Sequence, residues 1–456
     1  MKKNTLLGIY LLCFVFLNSC SNDDDGYVPV AIEANADSGQ LQQDATLEID
    51  VLANDTGVPT QGTLTVQNGD HGSAQIIDPA GTPADPSDDL VHYAPDTSFY
   101  GGDSFTYTIC DQSGTNCATA TVTITVNGVS PVNYSVANIP YDTLSEYNFF
   151  EGALREQEPV FGVMPYKPIS ALFSDYAKKK RFIWMPESVE ASYVNDYSIL
   201  DMPVGTILIK TFYYDNVQPA NDTRIIETRL MIKNEEGWIF AEYVWNDDQT
   251  EAYLDMNGSF TEVTWLQDGV EKYANYAIPA ESACFTCHKS EVNSIPIGLK
   301  PQNLNGDYPY ADGAENQLRK LVEFGYLSDN VPIDIETMVD YYDSSQPLNL
   351  RARSYVDINC AHCHSDDRHC DYRPMRFAFN ETGDPENMGV CVDPETPIPP
   401  FTKIVDPNNT DNSVLFFRIS STAEEYRMPL LGRTINHEEG IALIQEWINS
   451  LTQTCD

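Results

Sequence analysis

Two stretches of this 456-residue chain hold the side chains with the most chemistry, Cys284-Phe285-Thr286-Cys287-His288 and Cys360-Ala361-His362-Cys363-His364. Both have the pattern Cys-x-x-Cys-His. Two thiols at that spacing add across the two vinyl groups of a haem, and the histidine that follows donates an imidazole nitrogen to the iron. A zinc site would need four closed ligands at each position, and a thioredoxin-type pair leaves the histidine in both copies unexplained. The expectation is two covalently bound c-type haems. Cys284 and Cys287 would attach the first, Cys360 and Cys363 the second, with His288 and His364 as the iron ligands.

Covalent attachment of this kind takes place outside the cytoplasm, and the N-terminus provides for export. Lys2 and Lys3 precede an apolar run from Leu6 to Leu17, too short to span a bilayer, and the run ends Leu17-Asn18-Ser19-Cys20. This resembles the lipobox of bacterial lipoproteins. The resemblance implies a signal peptide over 1–19, cleavage before Cys20, and acylation of Cys20 as a membrane anchor. The acidic linker 20–29, with Ser21-Asn22-Asp23-Asp24-Asp25-Gly26, resembles tags that send lipoproteins to the cell surface. An outer-membrane lipoprotein facing the periplasm or, by that tag, the cell surface is the expected location.

Lys and Arg together number 26 against 68 Asp and Glu, a formal charge of −42. That field repels phosphate backbones and excludes nucleic acid as a natural partner. A redox partner protein is implied, but no residue names it. No Lys or Arg occurs between Asn4 and Leu154, so the first part of the mature chain is a different object from the rest. Over 30–128, short Thr/Val/Tyr runs at Leu47–Leu52, Leu64–Gln67, Phe105–Cys110 and Ala118–Val126 are separated by turn signals, the pattern of an antiparallel β-sandwich. Asp50-Val51-Leu52-Ala53-Asn54-Asp55, Gly101-Gly102-Asp103-Ser104-Phe105-Thr106-Tyr107 and Ala118-Thr119-Ala120-Thr121-Val122-Thr123-Ile124 resemble bacterial immunoglobulin- or cadherin-like modules. Such a module implies a spacer or adhesive role. Cys110 and Cys117 flank a turn and are expected to form a disulfide. Asp78, Asp85, Asp88 and Asp89 offer oxygen ligands for calcium, or simply a solvated acidic loop.

The first pentad closes a second strand-rich region, 135–300. Val204–Tyr214 is apolar on both pleat faces, Ile225–Lys233 alternates and Trp238–Trp245 is aromatic, which together read as a buried sheet. Met202-Pro203-Val204-Gly205-Thr206-Ile207-Leu208-Ile209-Lys210, then Arg229-Leu230-Met231-Ile232-Lys233 with Gly237-Trp238, then Cys284–His288, resemble the cytochrome P-460 and cytochrome c′-beta family in order. That resemblance implies a β-rich haem domain with an open distal position, where a small nitrogen species such as hydroxylamine or nitric oxide reacts or binds. It also makes Lys210, the match to a lysine cross-linked to the porphyrin in some members, and Arg229 candidates for the distal pocket. The preferred reading of Lys210 is nevertheless a packed strand lysine, and that of Arg229 an intrasheet Arg/Glu pair. Met338 is the best-placed sixth ligand after His288, and a core methionine is the rival reading.

Residues 301–349 read as a helical connector and 350–456 as a mainly α domain. A helix over Arg351–Asn359 runs into the second pentad, and His437–Leu451 has helical spacing. Met428-Pro429 lies between them. This arrangement resembles class I cytochromes c, which implies Met428 as the thioether ligand opposite His364; Met375 and Met388 are rivals. His362 and His369 read as polar surface residues. Cys370 and Cys391 are expected to pair, leaving Cys455 over.

Taken together, 135–456 resembles an uncharacterised family of secreted di-haem c-type cytochromes. The carrying stretches are Phe173-Ser174-Asp175-Tyr176-Ala177, Pro296-Ile297-Gly298-Leu299-Lys300 with Asn303-Leu304-Asn305, Arg351-Ala352-Arg353-Ser354-Tyr355 and Arg427-Met428-Pro429. The fold expectation is multidomain: an all-β Ig-like sandwich, a β-rich haem domain and a mainly α cytochrome c domain. The expected function is electron transfer at the outer membrane or cell surface. The alternative is a haem oxidoreductase acting at the first haem, with the second as electron outlet. If the lipobox reading holds, Cys20→Ser abolishes acylation and moves the protein from the membrane fraction to the soluble fraction; palmitate labelling and sedimentation of the variant check this.

Overall fold

A computed structural model gives the architecture of residues 30–455. The expected signal peptide, Cys20 and the acidic linker lie outside these described residues. The chain divides into two compact units between Val129 and Ser130. It is multidomain and strongly β-rich.

Seven strands build the first unit: β1 Asp37–Gln42, β2 Leu47–Ile49, β3 Gly62–Gln67, β4 Gly72–Ile77, β5 Leu90–Pro95, β6 Gly101–Asp111 and β7 Cys117–Asn127. They form two sheets, β1-β7-β6-β3 and β2-β5-β4. Alternation produces the core: Phe105, Tyr107 and Ile109 of β6 and Val122, Ile124 and Val126 of β7 are buried, and their sequence neighbours face outward. The sandwich is not wholly antiparallel, because β1 pairs with β7 in parallel. These strands are far apart in sequence, so no hairpin turn dictates their relative direction. The strand expected over Leu47–Leu52 stops at Ile49, where the Asp50 carboxylate accepts a hydrogen bond from the Leu52 amide (3.3 Å) and turns the chain. Cys110 and Cys117 stand opposite each other on β6 and β7 and form a disulfide.

The second unit begins with a short hairpin, β8 Phe150–Glu151 and β9 Glu158–Pro159, followed by the main sheet. Its strands are β10 Met164–Pro165, β11 Lys178–Trp184, β12 Ile207–Val217, β13 Asp222–Asn234, β14 Gly237–Trp245 and β15 Ala252–Leu254, with β16 Ser259–Gln267 and β17 Val270–Ile278 joined through β12. Both faces are covered, which is why β12 reads as a continuous apolar run. Ile207, Ile209, Leu230, Ile232, Ala241 and Tyr243 pack on one side against Tyr147, Phe149, Phe182 and Trp184. Leu208, Met231 and Phe240 face the other side, beneath Leu299, Leu304, Leu318 and Leu321.

Downstream come α1 Glu281–Cys287, α2 Pro301–Leu304, α3 Gln317–Glu323, α4 Leu348–Val356, α5 Val414–Ser420 and α6 Glu438–Ser450. The expected helical connector 301–349 is mostly loop, because Gly325, with φ of 81°, and then Pro332 and Pro347 interrupt helix after α3. Helix α4 starts directly after Pro347 and widens without a break into a π-helical turn over Asp357–Ala361, so helical backbone runs into the second pentad as expected. Helix α6 buries Leu443, Ile444, Trp447 and Ile448, and the Trp447 indole donates to the Asn349 side chain of α4 (3.0 Å). The expected Cys370–Cys391 disulfide does not form. The segment after α6 returns to Cys391, which pairs with Cys455, and the Cys370 amide is held by the Cys363 carbonyl, away from that strand.

Residues 130–456 form one unit, and the expected cuts at 300 and 350 do not separate independent domains. The stretch Phe173-Ser174-Asp175-Tyr176-Ala177 shows why. Asp175, 1% exposed, accepts hydrogen bonds from the Thr434 amide (2.7 Å), the Thr434 hydroxyl (2.9 Å) and the Ile435 amide (3.1 Å). Phe173 stacks on His437 at 4.2 Å, and the Tyr176 hydroxyl donates to Glu439 (2.7 Å). Asp175→Ala strands these donors at about 1–3 kcal/mol each. The expected result is a urea midpoint lowered by several kcal/mol of stability with little change in slope.

Candidate functional site

The first pentad is delivered by α1, which follows β17 after two residues. The Phe240 ring of β14 meets Phe285 at 5.1 Å and His288 at 5.4 Å, pressing the pentad onto the sheet. His288 Nδ1 lies 2.8 Å from the Ile295 carbonyl. Only a protonated nitrogen can bond a carbonyl, so Nδ1 carries the hydrogen and Nε2 keeps a lone pair for a metal. Burial lowers the pKa of His288 to about 4, so the ring is neutral at pH 7.

The second pentad sits on the turn after α4. The Asp357 carboxylate braces that turn, accepting from Lys300 Nζ (2.6 Å) and the Phe379 amide (2.9 Å). His364 is 9% exposed and edge-on to Phe377 at 5.5 Å; burial again sets its pKa near 4. Its Nδ1 is buried without a partner among the described residues. Cys360, Cys363, His364 and Met428 line one cavity of about 120 Å³, with the partly exposed Leu430 and Leu431 on its wall. Met428 is fixed through its backbone, donating to the Arg418 carbonyl (3.0 Å) and accepting from Arg433 Nε (3.0 Å). Met375 lines the same cavity, whereas Met388 is buried in the core of this region.

The pentads, well separated in sequence, touch. Ligand atoms of Cys287, His362 and Cys363 lie within 4.8 Å of one another, and Arg368 Nη1 donates to the Lys289 carbonyl beside them (2.9 Å). His362 is therefore not a surface residue: it is half-buried, its Nδ1 has no partner among the described residues, and it lines both cavities. In sequence it occupies a spacer position of the pentad, and nothing local distinguishes it. His369 is exposed as expected.

A zinc ion on Cys287, His362 and Cys363 would have three ligands and leave Cys284, Cys360, His288 and His364 unused. The donor set suits two c-type haems better. All four pentad cysteines are free thiols, each pentad presents a neutral imidazole, and the first adjoins a cavity of about 500 Å³, the size of a cofactor site.

That larger cavity is floored by the sheet. Lys210 and Arg229 line it with Cys284, Cys287 and His288, so both sequence candidates reach the first pentad. Met338 does not; it is buried at 2% exposure elsewhere, its amide held by the Gln302 carbonyl. Met231 and Met256, which precede the pentad and so escape a search downstream of His288, line the cavity instead. Lys210 Nζ sits 4.9 Å from the Phe212 ring centre. Arg229 pairs with Glu227, which also accepts from the Tyr276 hydroxyl (2.5 Å), and stands opposite Glu242 in the ladder. Burial, and then the charge of Glu227, raises the pKa of Glu242 far above the usual carboxyl range. Burial also opposes ionisation of Glu227, but Arg229 and the hydrogen bonds from Glu242 and Tyr276 prevail and lower its pKa. Glu242 therefore carries a proton at neutral pH, and its Oε1 lies 3.7 Å from Arg229 Nε.

In the first unit Asp78, Asp88 and Asp89 also converge, but Asp78 accepts from the Gly81 and Thr82 amides and Asp88 from the Thr82 hydroxyl, while Asp85 caps Ser87. Most of the loop's carboxylates are thus held by its own amides and hydroxyls, as in a solvated acidic loop.

The carboxyl pair gives a stability test. Glu242→Gln replaces a neutral acid with a neutral amide and changes stability by about 1 kcal/mol or less. Glu227→Gln removes the nearer of the two carboxyl groups from the partly accessible Arg229, at about 1.5–3 kcal/mol. A carboxyl with a raised folded pKa loses stability as pH rises from its unfolded value of about 4.5 upward. Glu242→Gln should flatten that slope in denaturant titrations from pH 5 to 9.

Comparison with known proteins adds one family. Two solved structures share a slight likeness: a variant of the endo-fucoidan hydrolase MfFcnA4 from glycoside hydrolase family 107 (10% identity, 55% of this chain, 28% of that chain, TM-score 0.17) and the same hydrolase without the substitution (12%, 46%, 28%, 0.16). This chain spans 28% of their length, and at such TM-scores the likeness bears on neither fold nor function. No curated protein matches the chain. Residues 24–125 match the bacterial Ig domain family, in agreement with the sandwich described above.

Proposed function

We propose that the protein is a di-haem c-type cytochrome, carried as a lipoprotein at the outer membrane or cell surface, that relays electrons to or from a redox partner protein. The observation that carries the reading is the contact between two complete Cys-x-x-Cys-His pentads, each beside a cavity that its own histidine lines. Bound there, two haems would supply one-electron redox chemistry. Cys284 and Cys287 would hold the first and Cys360 and Cys363 the second; His288 and His364 would each give the iron a neutral nitrogen. At the second site Met428 lines the same cavity as His364, so a thioether and an imidazole would both be available to hold the iron, which would suit electron transfer without substrate binding. The contact of α4 with α6, locked by Trp447 and Asn349, supports a cytochrome c-like arrangement around the second pentad.

The contact at Cys287, His362 and Cys363 brings the two attachment points together, so an electron arriving at one site has a short path to the other. The Ig domain has no place in that path and acts as a spacer between the lipid anchor and the redox unit.

One observation favours catalysis at the first site as a second reading. Its cavity is about four times the volume of the other, and Lys210, Arg229 and Glu242 line it together with His288, which would hold the iron. Such a site has room and polar groups for a small nitrogen species.

The relay reading is tested by mass and spectrum. The mature protein should carry two covalent haems, and a Cys284→Ala/Cys287→Ala variant one fewer; an unchanged haem count overturns it. Met428→Ala should abolish a methionine-to-iron charge-transfer band while the spectrum of the first site stays as it was.

A further inference from the structure

The loop that carries Met428 has no helix or strand to hold it. Between the end of α5 at Ser420 and the start of α6 at Glu438 the chain forms only bends and turns. A thioether is a weak acceptor and no donor, so the Met428 side chain cannot anchor the loop by itself. Its position depends on what holds the backbone around it. The Met428 amide donates to the Arg418 carbonyl (3.0 Å), and the Met428 carbonyl accepts from Arg433 Nε (3.0 Å).

Arg433 is 4% exposed, and it spends its whole guanidinium inside the loop. Besides the Nε bond to Met428, Nη1 donates to the Ile435 carbonyl (3.3 Å) and the Asn436 side-chain oxygen (3.0 Å). Nη2 donates to the Arg418 carbonyl (3.1 Å) and the Ser421 carbonyl (2.8 Å). A guanidinium has five N–H donors in a planar fork, so these bonds leave none for a cofactor or substrate. One side chain thus ties the last turn of α5, the Met428 turn and the entry to α6. The Arg418 carbonyl takes both Nη2 and the Met428 amide, which closes the knot. Around it, the Asn436 side chain donates to the Ser420 carbonyl (2.9 Å), and Asp175 holds Thr434 and Ile435. Met428 and Arg433 border a void of only about 10 Å³, barely the room of one water. Without the guanidinium, carbonyls of Arg418, Ser421, Met428 and Ile435 would turn toward a space with no donor, and the loop would have to open to hydrate them.

We propose that Arg433 is the positioning residue for Met428: by gathering these carbonyls it holds the thioether in the second cavity with His364, and its loss lets the loop open and uncovers the axial position that Met428 would fill. The proposal rests on the reading of Met428 as an iron ligand. Arg433 acts only through the backbone on either side of the methionine, so its signature is a Met428 ligand that is displaced easily. Lysine cannot take its place, because a compact ammonium with three donors does not reach carbonyls spread around a planar fork.

The test uses the purified full chain with its haems and three variants. Arg433→Lys keeps the charge and loses the fork, and Asn436→Ala removes one acceptor of the guanidinium. Asn349→Ala removes the partner of the Trp447 indole and loosens the same region away from the Met428 loop. Imidazole titrated into the ferric proteins displaces Met428, which is read on the methionine-to-iron charge-transfer band. Reduction potentials and urea midpoints are measured on the same samples, and hydrogen exchange of the peptide containing Met428 is followed by mass spectrometry. Arg433→Lys should release Met428 at imidazole concentrations at least tenfold below those of the wild type, and Asn436→Ala at least threefold below. Each should lower the potential of the second haem, since a methionine ligand raises it. Exchange at Met428 should be at least tenfold faster in Arg433→Lys. Asn349→Ala should lower the urea midpoint and leave imidazole release and exchange as in the wild type. Wild-type release and exchange in Arg433→Lys overturn the proposal, and so does an equal change in Asn349→Ala, which would trace the effect to general stability. If Arg433→Lys does not fold, wild-type release in Asn436→Ala overturns it. A wild type without the methionine band sinks the ligand reading of Met428 instead, and exchange then decides alone whether Arg433 holds the loop.

Discussion

The pairing register of β11, β12, β13 and β14 is the constraint on which the rest of the second unit depends. A strand's side chains alternate with a period of two, so a slip of one residue would exchange the two faces of the sheet. The observed register puts Ile207, Ile209, Leu230, Ile232 and Tyr243 into a closed apolar layer. It puts Lys210, Arg229, Glu242 and Phe240 on the opposite face, under the first pentad. The fully buried first layer fixes the register, because turning its isoleucines and leucine outward would forfeit about 1.5–3 kcal/mol for each side chain. The polar face is thereby determined by the hydrophobic one.

On that face, electrostatics works against the overall charge of the molecule. The acidic surplus is spread over solvated surface, where water and salt screen it. The buried ionisable groups are of both signs: Asp103 and Asp175 are held by hydrogen bonds from amides and hydroxyls, while others meet a basic side chain. Arg229 with Glu227, and Lys300 with Asp357, are pairs that satisfy themselves. Lys210 stands between Arg181 and Arg229 in the ladder and lays its ammonium over the Phe212 ring.

The meeting of the pentads follows from docking between the sheet and the C-terminal segment. Asn359, one residue before Cys360, accepts the Phe173 amide (2.9 Å), and Asp175 binds the loop that follows Met428. These contacts join residues far apart in the chain, so the second pentad and its methionine are held against the unit that carries the first. A flexible connection would leave the distance between the two pentads undefined.

Much of this was legible in the sequence. The pentads stand out because cysteine and histidine at fixed spacing form a local pattern, and the structure sets each beside a cavity. The strands at Ile207, Arg229 and Trp238 and the helix ending near Leu451 emerge from periodicity, since each buries a continuous face. The turn between Cys110 and Cys117 brings those thiols together with no help from the rest of the chain. Tertiary structure alone decided what depends on long-range packing. It paired Cys391 with Cys455 rather than with Cys370, drew His362 from an apparent spacer position to the contact of the two pentads, and replaced Met338 with Met231 and Met256 at the first cavity. It also aligned Arg181, Lys210 and Arg229, which lie on three strands and form a row only when the sheet assembles. Local pattern specifies which face a residue takes within its own strand or helix; which residues meet across elements is set by the packing of those faces, and no single stretch of sequence contains it.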